Sequence, residues 1–591
     1  MRHTFNLPLA LIAVILFSFN AFSQSSSTAA KITPKRDDTR STVVKKDRPV
    51  TPQEIRAEMI EALSLIENAH VDGKDLNYNE LFKSTIDSML HTLDPHSNYF
   101  DAKDNEQFRT EQNSEYYGIG ATIGDLSDPD GKITATYIKA TFPGAPANNA
   151  GLRYGDKIVS FTGQRAMQDG KLVDVKNESM LGKSVGVVRS YLRGPKGTTI
   201  QVTIQRANTG KQETVLITRG AVSQPSISEA YLIRPGVGYI AMRGNFTKTT
   251  YGEFINGMIS LRSQGMRQLI LDLRDNGGGL VQQAYNVARV FLSSGQTVFT
   301  QKGRIAGVTE TFRSDNPTPD RSPIVMLVNR GTASASEILA GALQDHDRAL
   351  IVGENTFGKG LVQNPFQDVG YDSMLLLTIA KYQTPSGRQI QRDYSNGDLY
   401  NYYTDGGSFR DESTDTMPKG SASKTDTGRE VYSGGGINPD ISIKPKTITL
   451  EQSRVEQKIA SPVFAFALDL ANGRVKGFEN YKVDKPVAYD YDIKTTDFPV
   501  TPGLFQAFKQ YAGDKYKIPA TQIVAEREFV ERTLRSELVT AAYGSTTSFQ
   551  VINEYDDQLL KAIDLMPQAR QLAIQSEKAR TTAAKEVNPA N

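Results

Sequence analysis

The sequence predicts a multidomain α/β chain: an α/β core, a β-rich module ahead of it, and helical regions at both ends. Three patterns predict it. Residues 323–363 run from a β-branched apolar stretch through a helical one to a second apolar stretch, the signature of a β-α-β unit. Residues 115–222 carry short alternating strands broken by glycine turns. The stretches 51–114 and 447–591 carry apolar residues at helical spacing. At 591 residues the chain has room for several such domains.

Within the β-α-β unit, Ile324 to Asn329 reads as a buried strand and Gly331-Thr332-Ala333-Ser334-Ala335-Ser336 as the turn into a helix. Apolar Ile338, Leu339, Ala342 and Leu343 mark that helix, and Ala349 to Val352 is the second strand. Parallel strands joined by a helix end on one edge of their sheet, so Ser334 at the helix mouth and Lys359 past the second strand can converge. A serine hydroxyl needs a base to become a useful nucleophile. Lysine serves only if burial lowers its pKa from about 10.4 toward neutrality. Phe357, Leu361 and Val362 supply apolar surroundings, and Gly358 and Gly360 let backbone pack closely. His346 lies twelve residues beyond Ser334, about 18 Å of helix rise, which favours a serine–lysine over a serine–histidine pair. On spacing alone the competing reading is a helix cap beside a solvated Gly-Lys-Gly turn.

A second strand-to-helix turn stands upstream. Leu269 to Leu273 reads as a strand running into Arg274-Asp275-Asn276-Gly277-Gly278-Gly279, and Val281, Ala284, Val287, Ala288 and Phe291 mark the helix that follows. The run has neither the Lys-Ser ending of a phosphate loop nor the spacing of a dinucleotide loop. Exposed amides at a helix start suit an oxyanion hole instead.

The stretch NRGTASASEILAGALQDHDRALIVGENTFGKGLVQ resembles the active-site block of the carboxy-terminal processing (tail-specific) serine peptidases. That resemblance implies a protease core of the ClpP/crotonase-like type with an inserted PDZ β-domain. It implies Ser334 as nucleophile, Lys359 as general base and Gln363 as the group holding the lysine amine. A side-chain amide suits that last role, because it accepts from the amine without adding a charge that would raise its pKa. The oxyanion role, carried over from the family, falls on the Gly278 and Ala335 amides, with Gly277 and Gly279 one position away.

Residues 115–222 look like a PDZ domain. Tyr117-Gly118-Ile119-Gly120 precedes an alternating strand, PGAPANNAGLRYGDKIVSFTG (143–163) gives turns and a strand, and LRGPKGTTIQVTIQR (192–206) reads as a hairpin. Such a module takes an extended C-terminal tail as an added edge strand, its last side chain in an apolar pocket. Protein or peptide substrates with apolar C-terminal tails are the implied partners.

Taken from its start, residues 1–23 read as a signal peptide: a basic start, an apolar centre Leu7 to Phe17, and Ala21-Phe22-Ser23 as cleavage site. The apolar run is shorter than the ~20 residues a membrane span needs, and no later stretch is long enough. An exported, most simply periplasmic, protein is expected. Residues 24–50 read as a flexible tether. In 51–114, Ile55, Met59, Leu63 and Ile66 form one helical stripe, and Leu81, Phe82, Ile86, Met89, Leu90 and Leu93 a second that stops at Asp94-Pro95. The DPHSNYF that follows resembles a segment of the same family. Residues 223–446 form the core, with 392–432, rich in Ser, Thr, Asp and Gly, as an inserted surface loop. From 447 the stripes Phe529, Val530, Leu534, Leu538 and Leu559, Leu560, Ile563, Leu565 suit a folded appendage or a homo-oligomer surface equally. The end, from about Ser576, should fray.

Composition narrows the chemistry. Sixty-eight Lys and Arg nearly balance 66 Asp and Glu, so nothing points to nucleic acid. The absence of cysteine excludes disulfides, thiolate metal sites and thiol nucleophiles. Five scattered histidines show no ligand spacing, so neither metal nor cofactor is expected. Two other readings stay open: a catalytically silent tail-binding scaffold, and a self-inhibited protease in which Arg193 of the PDZ hairpin contacts the core as a switch.

Overall fold

The computed structural model describes residues 49–166, 172–367, 370–395, 399–404 and 420–587. The expected signal peptide, the tether up to residue 48, and parts of the inserted loop (396–398 and 405–419) lie outside the described residues. The described chain forms two compact units that divide at residue 90. The smaller holds helix Pro52–Ala69, opened by a capping box between Thr51 and Glu54, and the start of helix Tyr78–His91.

In the larger unit a six-stranded sheet carries the core. Its order is Glu229–Arg234, Val237–Ala241, Gln268–Asp272, Ile324–Val328, Ala349–Gly353 and Ile441–Ser442. The first pair is antiparallel and the rest parallel. Alternate residues of each strand face opposite sides. Ile324, Met326 and Val328 point into one apolar layer with helices Thr250–Ser263, Val281–Phe291 and Ala335–Asp345. Val325 and Leu327 point into the other, closed by Leu559, Ala562, Met566, Ala569 and Leu572 of helices Asp557–Asp564 and Met566–Val587. The near-continuous apolar strands thus have a simple cause: both faces are covered.

That second layer revises the reading of the C-terminal region. Its Leu559 stripe covers the far side of the six-stranded sheet rather than forming a separate folded appendage. Ser576, expected to fray, is buried and donates from its hydroxyl to the His346 carbonyl at 2.9 Å, and the helix runs on to Val587. The sequence alone hides this because an Ala-, Lys- and Glu-rich helix looks the same whether or not a sheet covers one face.

A second sheet pairs Asn98–Phe100 with Met374–Gln383, and Met374–Gln383 with Thr297–Gly303 and Leu361–Gln367. The β-module is a separate six-stranded sheet, with Ala121–Ser127 at one edge. Its hairpin is Thr199–Gln205 with Gln212–Thr218, and Arg193 is not in it. Arg193 ends helix Val185–Leu192, whose Val188, Tyr191 and Leu192 are buried at helical spacing. The module rests on the C-terminal helices: Lys139 and Tyr154 both bond Glu537, and Phe464 packs edge-on to Tyr137 and Tyr154.

Candidate active site

Ser334 stands between strand Ile324–Val328 and helix Ala335–Asp345 with φ 57° and ψ −118°, a conformation that non-glycine residues avoid. Glu337, one turn into the helix, holds it there. The Ser334 amide donates to Glu337 Oε2 at 2.8 Å, and the Lys359 amide donates to the same oxygen at 2.8 Å. The other carboxylate oxygen accepts from the Thr356 hydroxyl at 2.5 Å and the Gly358 amide at 2.7 Å. Glu337 is wholly buried, and its burial pushes its pKa up while these four donors pull it down. From the other side the Tyr382 hydroxyl lies 3.1 Å from both the Ser334 and the Lys359 carbonyl. The two expected catalytic residues are therefore fastened to each other through their backbones.

Their side chains point to different partners. Lys359 Nζ donates to Gln363 Oε1 at 2.7 Å, and Gln363 Nε2 donates to the His96 carbonyl. No hydrogen bond between Ser334 Oγ and Lys359 Nζ occurs among the described residues. Burial of the lysine amine lowers its pKa to about 8, against the pull of Asp94 and Glu337, which favour the charged form. At that value a substantial fraction of Lys359 is neutral near pH 8, as a base must be.

The glycine turn closes on the serine. Gly278 has φ 96°, and a Cβ there would sit 2.8 Å from Ser334 Cβ and 2.9 Å from the Ala335 nitrogen. Only glycine allows that approach. The Gly278 amide itself donates to Asn276 Oδ1 at 2.9 Å, so it is not free to receive an oxyanion in this arrangement. Gly279, bridged to Phe246, and Ala335, first in its helix, have amides with no acceptor among the described residues. Asn276 is wholly buried and fully bonded: its amide nitrogen donates to the Met242 and Gly244 carbonyls, and its Oδ1 also accepts from the Ser336 hydroxyl.

In the β-module, Tyr117 and Gly118 pair with Ala221 and Gly220, and the carbonyls of Ile119 and Gly120 accept from Ala147 and Phe142. The Ile119 and Gly120 amides have no acceptor among the described residues. Arg193 lies over the Tyr116 ring, 5.1 Å from its centroid, with Cγ close to Gly118. It thus borders this loop, inside the module, and the contact with the core that its position suggested is not the one it makes here.

Glu337, Asn276, Tyr382 and His96 are the site residues that sequence reading passed over. Glu337 had a signal, the S-x-x-E spacing of a capping box. His96 had only the DPHS segment, nearly 240 residues from the serine in the chain.

Comparison with known proteins places this geometry. A model of peptidase family S41 matches residues 236–399, which includes every core residue named above from Met242 to Tyr382. A carboxyl-terminal-processing protease of Synechocystis is 34% identical over 323 residues, covering 54% of this chain and 70% of that protein. The chain belongs to this family. A second relative, the carboxy-terminal-processing protease of Bartonella bacilliformis, is 34% identical over 318 residues, 53% of this chain and 67% of that one. Among solved structures, a photosystem II D1 C-terminal processing protease aligns over 67% of this chain and 94% of its own at 26% identity, with a TM-score of 0.33. As an S41 peptidase the chain is a serine-type hydrolase.

Proposed function

We propose that this chain is an exported endopeptidase that captures substrate C-terminal tails on its β-module, acting as a PDZ domain, and cleaves peptide bonds through Ser334 and Lys359. The observation that carries the reading is the shared oxygen of Glu337, which ties the two residues together at 2.8 Å each. A substrate tail adds as a strand along Ala121–Ser127, its carboxylate received by the unengaged amides of Ile119 and Gly120. Neutral Lys359 then takes the proton of the Ser334 hydroxyl as it attacks the peptide carbonyl. Gln363 holds the amine in the meantime, and the serine–lysine contact tightens once substrate is bound. The tetrahedral oxyanion is received by the Ala335 amide and the glycine turn. Gly279 supplies the second donor directly, or Gly278 does once Asn276 Oδ1 releases it. Protonated Lys359 passes its proton to the leaving amine, and water hydrolyses the acyl-enzyme.

The test is incubation with an unstructured polypeptide ending in alanine. Cleavage by the native chain, with none by Ser334→Ala or Lys359→Ala variants that still fold, supports the reading. Cleavage by either variant rejects it. Binding of the tail without cleavage by the native chain would favour the silent scaffold.

A further inference from the structure

Asp94 and Glu337 both favour a charged Lys359, so dehydration alone has to hold its amine neutral. Apolar bulk is therefore needed around it, and part of that bulk comes from the stretch that the sequence marks as an insertion. Helix Leu399–Thr404 carries Tyr402 and Tyr403 against His96 and Phe357. The four rings form one cluster: Tyr402 lies 5.4 Å from His96, 5.9 Å from Phe357 and 5.1 Å from Tyr403 between centroids. Tyr402 is 5% exposed, far from the solvated loop its surroundings suggest. Its hydroxyl shares a 2.7 Å hydrogen bond with His96 Nε2 and accepts from Gln391 Nε2 at 3.2 Å. Tyr403 donates to the Pro95 carbonyl at 3.1 Å, and the Arg392 guanidinium stacks 4.3 Å over Phe357.

We propose that Tyr402 is a positioning residue for the general base: it fixes His96, whose carbonyl holds Gln363 and through it Lys359, and with Tyr403 and Phe357 it shuts water out of the lysine's pocket. The inference rests on Lys359 being the base. The hydrogen-bonded path is continuous, from the Tyr402 hydroxyl to the His96 ring, and from the His96 carbonyl through the Gln363 amide to Lys359 Nζ. Asp94 anchors the turn by accepting from the His96 and Ser97 amides, and Glu337 lies beneath the lysine backbone. His96 is kept neutral by burial and by the charges of Lys359 and Arg392, and Tyr382 and Tyr403 hold their protons far above neutrality.

The test compares Tyr402→Ala and Tyr402→Phe with the native chain in kcat/KM against pH, using the alanine-ended polypeptide. Opening the wall should move the rising limb of the Tyr402→Ala profile up by about one unit, with activity recovered at high pH. Tyr402→Phe keeps the ring, so its midpoint should stay while kcat falls and KM holds. Should Tyr402→Ala fail to fold, the kcat-only loss in Tyr402→Phe still decides. Native midpoint and kcat in both variants would overturn the inference, as would a change confined to KM, which would make the segment a substrate contact. A Lys359→Ala variant that still cleaves would instead overturn the reading beneath it.

Discussion

Ser334 and Lys359, 25 residues apart in the chain, hang from one atom: each backbone amide lies 2.8 Å from Glu337 Oε2. A serine hydroxyl is short and a lysine amine swings on a flexible four-carbon stem, so their meeting depends on where the backbones stand, and a shared acceptor removes the freedom of those backbones to drift apart. Replacing Glu337 by Gln leaves the shape but turns one acceptor oxygen into a donor facing bonded N–H groups. We expect kcat to fall on the order of 100-fold, the size of effect that follows small misplacement of catalytic groups. Steady-state kinetics on the folded variant check it, and a native kcat would count against the clamp.

The base predicts a pH profile. As the proposed base Lys359 has to be neutral, and burial holds its pKa at about 8, so kcat/KM should rise with pH through a midpoint near 8. A limb centred near the ordinary lysine value would mean that the amine is wet.

Gly278 admits no side chain. Gly278→Ala would drive a Cβ into the Ala333 carbonyl at 2.7 Å and Ser334 Cβ at 2.8 Å, from a φ that alanine avoids. We expect a rate loss of about 100–1,000-fold, comparable to removal of an oxyanion donor. A fluorescence melt distinguishes lost geometry from lost fold.

The C-terminal region reaches the same turn from behind. Arg274, two residues before Asn276, donates to Asp272 and to both carboxylate oxygens of Asp556, the cap of helix Asp557–Asp564. Asp556→Ala leaves a largely buried guanidinium with Asp272 and Gln558 as its remaining side-chain partners and should cost about 3 kcal/mol of stability in a denaturant melt. An unchanged midpoint would show that Asp272 and Gln558 suffice.

Beside it, Glu229 is buried and its pKa is raised to about 7 by burial, against the pull of Arg243; one oxygen is bonded to Asn553 and the other lies 3.7 Å from the Arg243 guanidinium. A carboxyl whose pKa is raised on folding stabilises the fold below its unfolded value and loses that contribution as pH climbs through 7. Glu229→Gln should therefore match the native melting temperature near pH 5 and exceed it near pH 8. Identical differences at the two pH values would refute this.

Local pattern made much of this site legible. The β-α-β spacing put Ser334 and Lys359 on one sheet edge, because a crossover helix and two strands leave the chain little choice. The glycine run pointed to exposed amides at a helix start, though not that Asn276 would take the Gly278 amide, which depends on a side-chain rotamer. What stayed hidden depends on contacts between distant segments. His96 reaches Gln363 only because Asn98–Phe100 joins the sheet of Met374–Gln383. Tyr402 lies in a stretch whose composition reads as solvent-exposed, and the rings of His96, Phe357 and Tyr403 give it a place to bury. Arg193 reads as part of a hairpin in the sequence because its helix, Val185–Leu192, is just two turns long and precedes a glycine-rich turn.

The central claim is that Ser334 is the nucleophile and Lys359 its base. The most direct measurement is labelling with a serine-reactive fluorophosphonate, followed by peptide mapping of the modified protein by mass spectrometry. The account predicts one adduct, on Ser334, forming faster as pH rises past 8 and absent from folded Lys359→Ala. An adduct on another serine, or unimpaired labelling of Ser334 without the lysine, would contradict it.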